Sequence, residues 1–329
     1  LPMPSLADIP AWPENLPTEV DKLAGRPLLR HRIPAGGISY VTLYFDISDF
    51  SREKLSDASF LCRLLGNLDT AEHSSIELQK LQRMIIGDLS FSVEAYGGVN
   101  MPETCRTCLC VSFSALDEKL AAAAALAAEI ITKTHFDDQR VIRELLRQFI
   151  TGMEQRIISS GSNFAITRIF AGSSVQGVVQ ECTSGFTCYQ RLKEMEADFD
   201  GCASRLAENL TGLCAAIFDR SRLTISITGT NADAAAALEA TLLSRIVYSG
   251  KRDFACTVRP WGLRREGIVI PADVSFAALG GNLLPYNGRY SGSLRVLARI
   301  ASLSYLWNAV RVQGGAYGTG LSIGDSGNA

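Results

Sequence analysis

Tyr305-Leu-Trp-Asn-Ala-Val-Arg-Val-Gln-Gly-Gly-Ala-Tyr-Gly318 decides the reading of this chain. Apolar residues recur at helical spacing from Ser291 to Val312, and the run halts at Gly314-Gly315. Glycine supplies the left-handed backbone that closes a helix at its C-terminus. Arg311 then falls in the last turn and Tyr317 just past the stop, which brings one cationic fork and one phenol to the same helix end. Such a pair can donate hydrogen bonds to a substrate carbonyl or a developing oxyanion. A plainer reading stands beside it: a basic side chain neutralising the helix C-terminus, with a tyrosine packed on a sheet.

Upstream, strands and helices follow in mixed order. His31 to Ser48 alternates, with Ile38, Tyr40, Thr42, Tyr44 and Asp46 on one face and Val41, Leu43, Phe45 and Ile47 on the other. That is the period of a half-buried strand. Helical spacing marks 51–67, 74–86, 117–134 and 139–159, with Asp117 able to cap the third and Ser159-Ser-Gly-Ser-Asn163 breaking the fourth. Segments 89–95 and 107–114 read as a strand pair, helices continue to about Phe218, 222–228 is a strand and 234–247 a helix. Residues 249–265 are polar and irregular; beyond them, 267–279 and 314–323 read as strands around the 291–312 helix. The sum is an α+β fold, a mostly antiparallel sheet with helices on one face. Three parts follow: an extended linker segment over 1–22, a first unit over 23–250, and a second over 258–329 that repeats the opening of the first and is incomplete.

Composition narrows the class. The 329 residues are 47% hydrophobic and 20% charged with net charge −2, enough for two domains. No basic stripe supports nucleic-acid binding. No apolar run reaches the roughly 18 residues of a membrane span; the longest, Leu120 to Ile131, is Ala-rich and carries Glu129. Leu1 to Ser5 lacks an initiator Met and the pattern of a signal peptide, and Gly324 to Ala329 brings no closing element, so the chain reads as cut from something longer. Nine irregularly spaced cysteines favour free thiols in a reducing compartment, the cytoplasm first and a mitochondrial or plastid interior second.

The string Tyr-Leu-Trp-x-x-Val-Arg-Val-x-Gly-Gly-Ala-Tyr-Gly resembles the signature of the pitrilysin/insulinase metallopeptidases, closest to their presequence-protease branch. Softer matches extend it over nearly the whole chain: Ser5-Leu-Ala-Asp-Ile-Pro10, Ser160-Gly-Ser-Asn-Phe-Ala165 with Ser184-Gly-Phe and Leu192-Lys-Glu, and Arg265 to Gly281. The resemblance implies the non-catalytic C-terminal half of a zinc endopeptidase that degrades unfolded peptides in a closed chamber, with units 23–250 and 258–329 as the family's third and fourth domains. It implies that Arg311 and Tyr317 reach the substrate carbonyl and oxyanion at the zinc site of the N-terminal catalytic half, and that Gly314, Gly315 and Ala316 line the substrate. Zinc is then bound by that other half, and this chain alone is inactive. The partners implied are the N-terminal half and unfolded peptides, with neither nucleic acid nor membrane.

The family's H-x-x-E-H motif, two histidines for zinc and a glutamate for water, is missing. By alignment Ser59, Cys62 and Arg63 stand at the first His, the Glu and the second His. Three other features carry less. Cys105-x-x-Cys108-x-Cys110 lacks the second close pair that a structural zinc site wants, and reads as free thiols. His73 reads as an exposed residue at a helix start; His31 and His135 have no partner at readable spacing. Gly280-Gly281 reads as a turn, since no phosphate-loop pattern surrounds it. Extended peptides also bind by adding to a sheet edge, with 273–279 one candidate strand. The alternative to a peptidase half is a stand-alone inactive subunit of the same fold that binds peptide or builds an assembly.

Overall fold

The computed structural model describes residues 3, 5–9, 12, 15–251 and 253–329. Much of the 1–22 linker segment lies outside them. One six-stranded sheet organises the molecule, in the order β1-β2-β6-β3-β5-β4. Its strands are β1 (Glu19–Leu23), β2 (Arg26–His31), β3 (Ile38–Asp46), β4 (Asp88–Gly98), β5 (Met101–Leu116) and β6 (Leu223–Thr228). Every neighbouring pair is antiparallel except β2–β6, which is parallel.

The alternation of β3 is realised as read. Val41, Leu43 and Phe45 point into the core, and their ladder partners there include Val111, Phe113, Leu109, Ile225 and Ile227. Tyr40, Thr42 and Tyr44 point the other way, over Ser114, Ser112 and Cys110 of β5 and Thr228, Ser226 and Thr224 of β6. Helices cover the first face: α1 (Arg52–Leu64), α3 (Leu120–Lys133) and α6 (Val175–Ser184) pack on the strands. Around them lie α2 (Ser75–Ile85), α4 (Gln139–Ser159), α5 (Gly161–Ala171), α7 (Phe186–Ala197), α8 (Phe199–Ile217) and α9 (Ala234–Thr241). The architecture is the α+β layer the sequence implies.

Local signals set the helix limits. The Ser51 hydroxyl caps α1, Ser74 and Glu77 form a capping box at α2, and Asp138 caps α4 through the Val141 amide at 3.0 Å. Asp117 does not cap α3 as expected. Its carboxylate instead accepts the Ser39 hydroxyl at 2.6 Å, and a single 3₁₀ turn precedes α3.

The strands expected at 267–279 and 314–323 do not form, and neither does a sheet in the second unit; among its described residues there is only an isolated bridge between Asn282 and Asn328. A ladder needs a neighbouring strand to take its backbone groups, and 249–283 instead runs as irregular chain along the first unit. Thr257 donates to the carbonyl of Phe50 at 3.0 Å, and the Trp261 amide to that of Ala171 at 3.3 Å. Arg52 and Arg168 lie over the Trp261 ring at 5.2 and 5.1 Å. After a short α10 (Leu284–Asn287), α11 (Gly292–Ile300) continues without a break as a π-helix over Ala301–Gln313. The last residues return to α6, where Asn328 donates to Ser174 at 2.7 Å.

Candidate functional site

The long helix from Gly292 ends where glycine was expected to end it. Gly315 takes φ +73°, and its amide closes on the Arg311 carbonyl at 3.0 Å. This turn folds 316–318 back beside the helix. The Arg311 Nε then donates to the Tyr317 carbonyl at 3.1 Å, and the guanidinium carbon sits 4.0 Å from the centre of the Trp307 ring. The Tyr317 side chain is 98% exposed, so it does not pack on the sheet. The site residues Arg311, Gly314, Gly315, Ala316 and Tyr317 thus share one helix end, with a phenol and the two terminal guanidinium nitrogens making no hydrogen bond among the described residues.

The erased metal motif lies on α1, and each of its side chains has other work. The Ser59 hydroxyl donates to the Thr183 carbonyl at 2.6 Å, just as Ser56 donates to Cys182 at 2.7 Å, so this helix is stitched to α6. Burial pushes the Cys62 thiol far up. Arg63 lies 4.8 Å over the Phe149 ring of α4. A hydroxyl engaged with a carbonyl, a thiol held protonated and a cation do not fit zinc.

Cys105, Cys108 and Cys110 are all buried, and burial pushes their thiols up to about 11, 12 and 11. Cys105 belongs to the core, while Cys108 and Cys110 follow each other along the opposite face of β5. They do not assemble a ligand set.

Among the described residues, ligand atoms of three or more His, Cys, Asp or Glu converge within 4.8 Å only at Glu72, His73 and Glu129. The sequence reading took His73 for an exposed helix-start residue; it is in fact half-buried, with Nδ1 2.9 Å from a Glu129 oxygen. Glu129 is buried in the Ala-rich α3 and also accepts the Thr70 hydroxyl, while Glu72 pairs with Lys133. The cluster is therefore satisfied by its own protons and cations and fastens the 70–74 turn to α3. A lone carboxylate in an apolar helix was its signal in the sequence. His31 likewise has a partner, the Thr18 hydroxyl at 3.1 Å. The cavity of about 340 Å³ between α1 and α8, lined by Lys54, Asp57, Phe60 and Leu213, includes none of the expected site residues.

An α+β domain that keeps the motif helix of a metallopeptidase without its ligands, followed by an Arg–Tyr helix end, is the plan of a non-catalytic peptidase half. The comparisons place it within one family. The model of the peptidase-associated family of M16 peptidases, subfamily C, matches residues 1–195, and one described as "PreP C-terminal domain" matches 265–328. The chain belongs to that peptidase-associated family and corresponds to the C-terminal, non-catalytic half of presequence-protease-like M16 peptidases.

Its relatives include "Protein HypA" of Clostridium perfringens, 29% identical over 97% of this chain and 33% of that protein. Another is "Presequence protease 1, chloroplastic/mitochondrial" of Arabidopsis thaliana, 27% identical over 97% of this chain and 30% of that protein. The chain therefore spans about a third of the length of these relatives. A crystal structure of a conserved protein from Enterococcus faecalis shares the fold, with TM-score 0.53 at 12% identity over 72% of this chain and 54% of that one. Among the described residues no helix is long and apolar enough to cross a membrane.

Proposed function

We propose that this chain is the substrate-binding, non-catalytic half of a zinc endopeptidase that degrades unfolded peptides in a chamber closed by two halves. The observation that carries the reading is the helix end at 311–317. It presents a guanidinium and a phenol with free donors, in a family member whose own metal motif is erased. Zinc and the water it activates belong to the catalytic half. This chain's part is to bind. Arg311 donates to the scissile carbonyl, Tyr317 donates to the oxygen as it gains charge, and the backbone of Gly314, Gly315 and Ala316 lies along the peptide. Donors aimed at developing charge stabilise the transition state more than the ground state.

In this reading residues 23–250 and 258–329 form two successive units, and the second completes its sheet with chain from the intact peptidase. The nine free cysteines support a reducing compartment, cytoplasmic or an organelle interior. The test is hydrolysis of an unfolded peptide, with zinc analysis, on this chain alone, on the catalytic half alone, and on the two mixed. Activity only in the mixture, with zinc on the catalytic half, is the expected result. Zinc-dependent hydrolysis by this chain alone would overturn it.

A further inference from the structure

We infer that Trp307 is a positioning residue for Arg311, its indole face setting the plane in which the guanidinium meets the substrate. The inference rests on the role proposed above for Arg311 and adds a residue to it.

Two contacts hold the Arg311 head. Nε donates to the Tyr317 carbonyl at 3.1 Å, which ties one edge of the guanidinium to the turn that carries the phenol. The Trp307 ring lies 4.0 Å from the guanidinium carbon, the shortest such stacking distance among the described residues. One contact fixes an edge and the other fixes a face. What remains free is the pair of terminal nitrogens, the two donors that can reach a carbonyl oxygen together.

An arginine left in solvent keeps much rotamer freedom, and a planar head that is already oriented loses less on binding. Tryptophan gives the strongest ring field for a cation. A plainer role for the ring would be core packing, but Trp307 is 41% exposed and stands outside the hydrophobic core. The helix that carries both residues is wound as a π-helix, a rare winding that occurs mostly at functional sites. It places Trp307 and Arg311 on successive turns with their heads in contact.

The test uses the complete, zinc-loaded peptidase that contains this chain, with steady-state hydrolysis of an unfolded peptide. Variants are Trp307→Leu, which keeps apolar bulk, Trp307→Phe, which keeps a weaker ring, Arg311→Ala, and Trp307→Leu combined with Arg311→Ala. Zinc content and thermal midpoint serve as folding controls. Losing the ring face should lower kcat about five- to tenfold, as expected for a cation–π contact that also sets orientation. KM should move less than twofold and Phe should recover most of the rate. In the double variant the Trp307 change should add nothing to the Arg311 change, because it acts through that side chain.

Turnover lowered by Arg311→Ala but untouched by Trp307→Leu would overturn this inference and leave the substrate-binding role standing. Effects that multiply in the double variant would also overturn it, since the ring would then act independently. Turnover untouched by Arg311→Ala would remove both. The five- to tenfold loss in Trp307→Leu, rescue by Phe and non-additivity together would establish it.

Discussion

Arg222 and Asp49 form the tightest buried ion pair that joins the sheet to the irregular segment behind it. Arg222 Nη1 lies 2.6 Å from Asp49 Oδ1, and the same nitrogen donates to the Asp46 carbonyl at 2.6 Å. The rings of Phe50 and Phe254 flank the guanidinium at 5.4 and 4.3 Å, and Lys251 adds a second cation at 2.6 Å from Asp49 Oδ2. Burial works to raise the Asp49 carboxyl, but the two cations prevail and hold it below its ordinary value. Removing one partner of a buried pair strands the other, at a cost of about 3 kcal/mol. Arg222→Ala should therefore lower the stability measured by urea unfolding by that amount. Because the Asp49 carboxyl is depressed in the folded state, its contribution is present above about pH 4 and is lost as pH falls through the folded value. An Arg222→Ala midpoint equal to wild type at neutral pH would remove this account.

The Arg168 guanidinium plays a similar part at the other end of the segment. It forks onto Glu266 at 2.7 and 3.1 Å and reaches the fully buried Glu181 at 3.1 Å. Burial pushes the Glu181 carboxyl up, and one of its oxygens has no partner. Arg168→Ala should destabilise by about 3 kcal/mol and free the chain around 262–275. Limited proteolysis checks the second effect: new cleavage there, ahead of global unfolding, is expected, and an unchanged digest would count against this tether.

His73 gives a pH signature of the opposite sign. The hydrogen bond to Glu129 raises its pKa against the cost of burial, helped by the nearby charges of Glu77 and Glu72. Lys133 is held on Glu72 on the same side. A raised histidine contributes stability fully present below about 6.5, its unfolded value, and lost as pH rises through the folded value. Thermal midpoints of wild type and His73→Gln, compared from pH 5.5 to 9, should differ most at the acid end and converge at the alkaline end. A gap independent of pH would show that the imidazole charge contributes nothing.

Gly177 tests the seam between α5 and α6. A β-carbon there would meet the backbone carbonyl carbon and oxygen of Phe170 at 2.2 and 2.3 Å. Neither neighbour is a side chain that can swing aside, so Gly177→Ala should cost at least the 1–3 kcal/mol usual for overpacking. Gly212→Ala is the control, since its β-carbon meets nothing within 4 Å. Alanine raises helix propensity there, and its melting temperature should hold or rise.

How much of this was legible follows the range of the forces involved. The β3 alternation, the α4 limits at Gln139 and Ser159 and the glycine stop at 314–315 are local, and each was readable. β1 and β2 were not read as strands, because Asp21, Lys22, Pro27 and Arg30 break the apolar pattern of a short edge pair. Residues 267–279 looked like a strand through Ile268, Val269, Ile270, Val274 and Leu279. Among the described residues no neighbour takes up their ladder, and Val269 and Leu279 lie fully exposed. Arg311 and Tyr317 were legible as types at a helix end. The stacking of Trp307 was not, because where a ring points depends on how the helix is wound, and a π-winding leaves no mark in residue spacing.

Tyr317 separates chemistry from stability more cleanly than any other residue here. Its phenol makes no hydrogen bond among the described residues and its side chain is 98% exposed, while its backbone carbonyl holds Arg311. Tyr317→Phe keeps that backbone contact and removes only the hydroxyl. Unfolding of this chain should be unchanged within about 0.5 kcal/mol, the usual range for a surface substitution. In the complete peptidase the same change should lower kcat on the order of a hundredfold, the usual effect of losing one oxyanion donor, with zinc content unaltered. Steady-state kinetics beside a denaturation curve decides the matter. A fall in turnover without a fall in stability identifies a hydroxyl that meets the reacting oxygen. Unchanged turnover would mean that the phenol never reaches it, and the oxyanion role would pass to Arg311 alone.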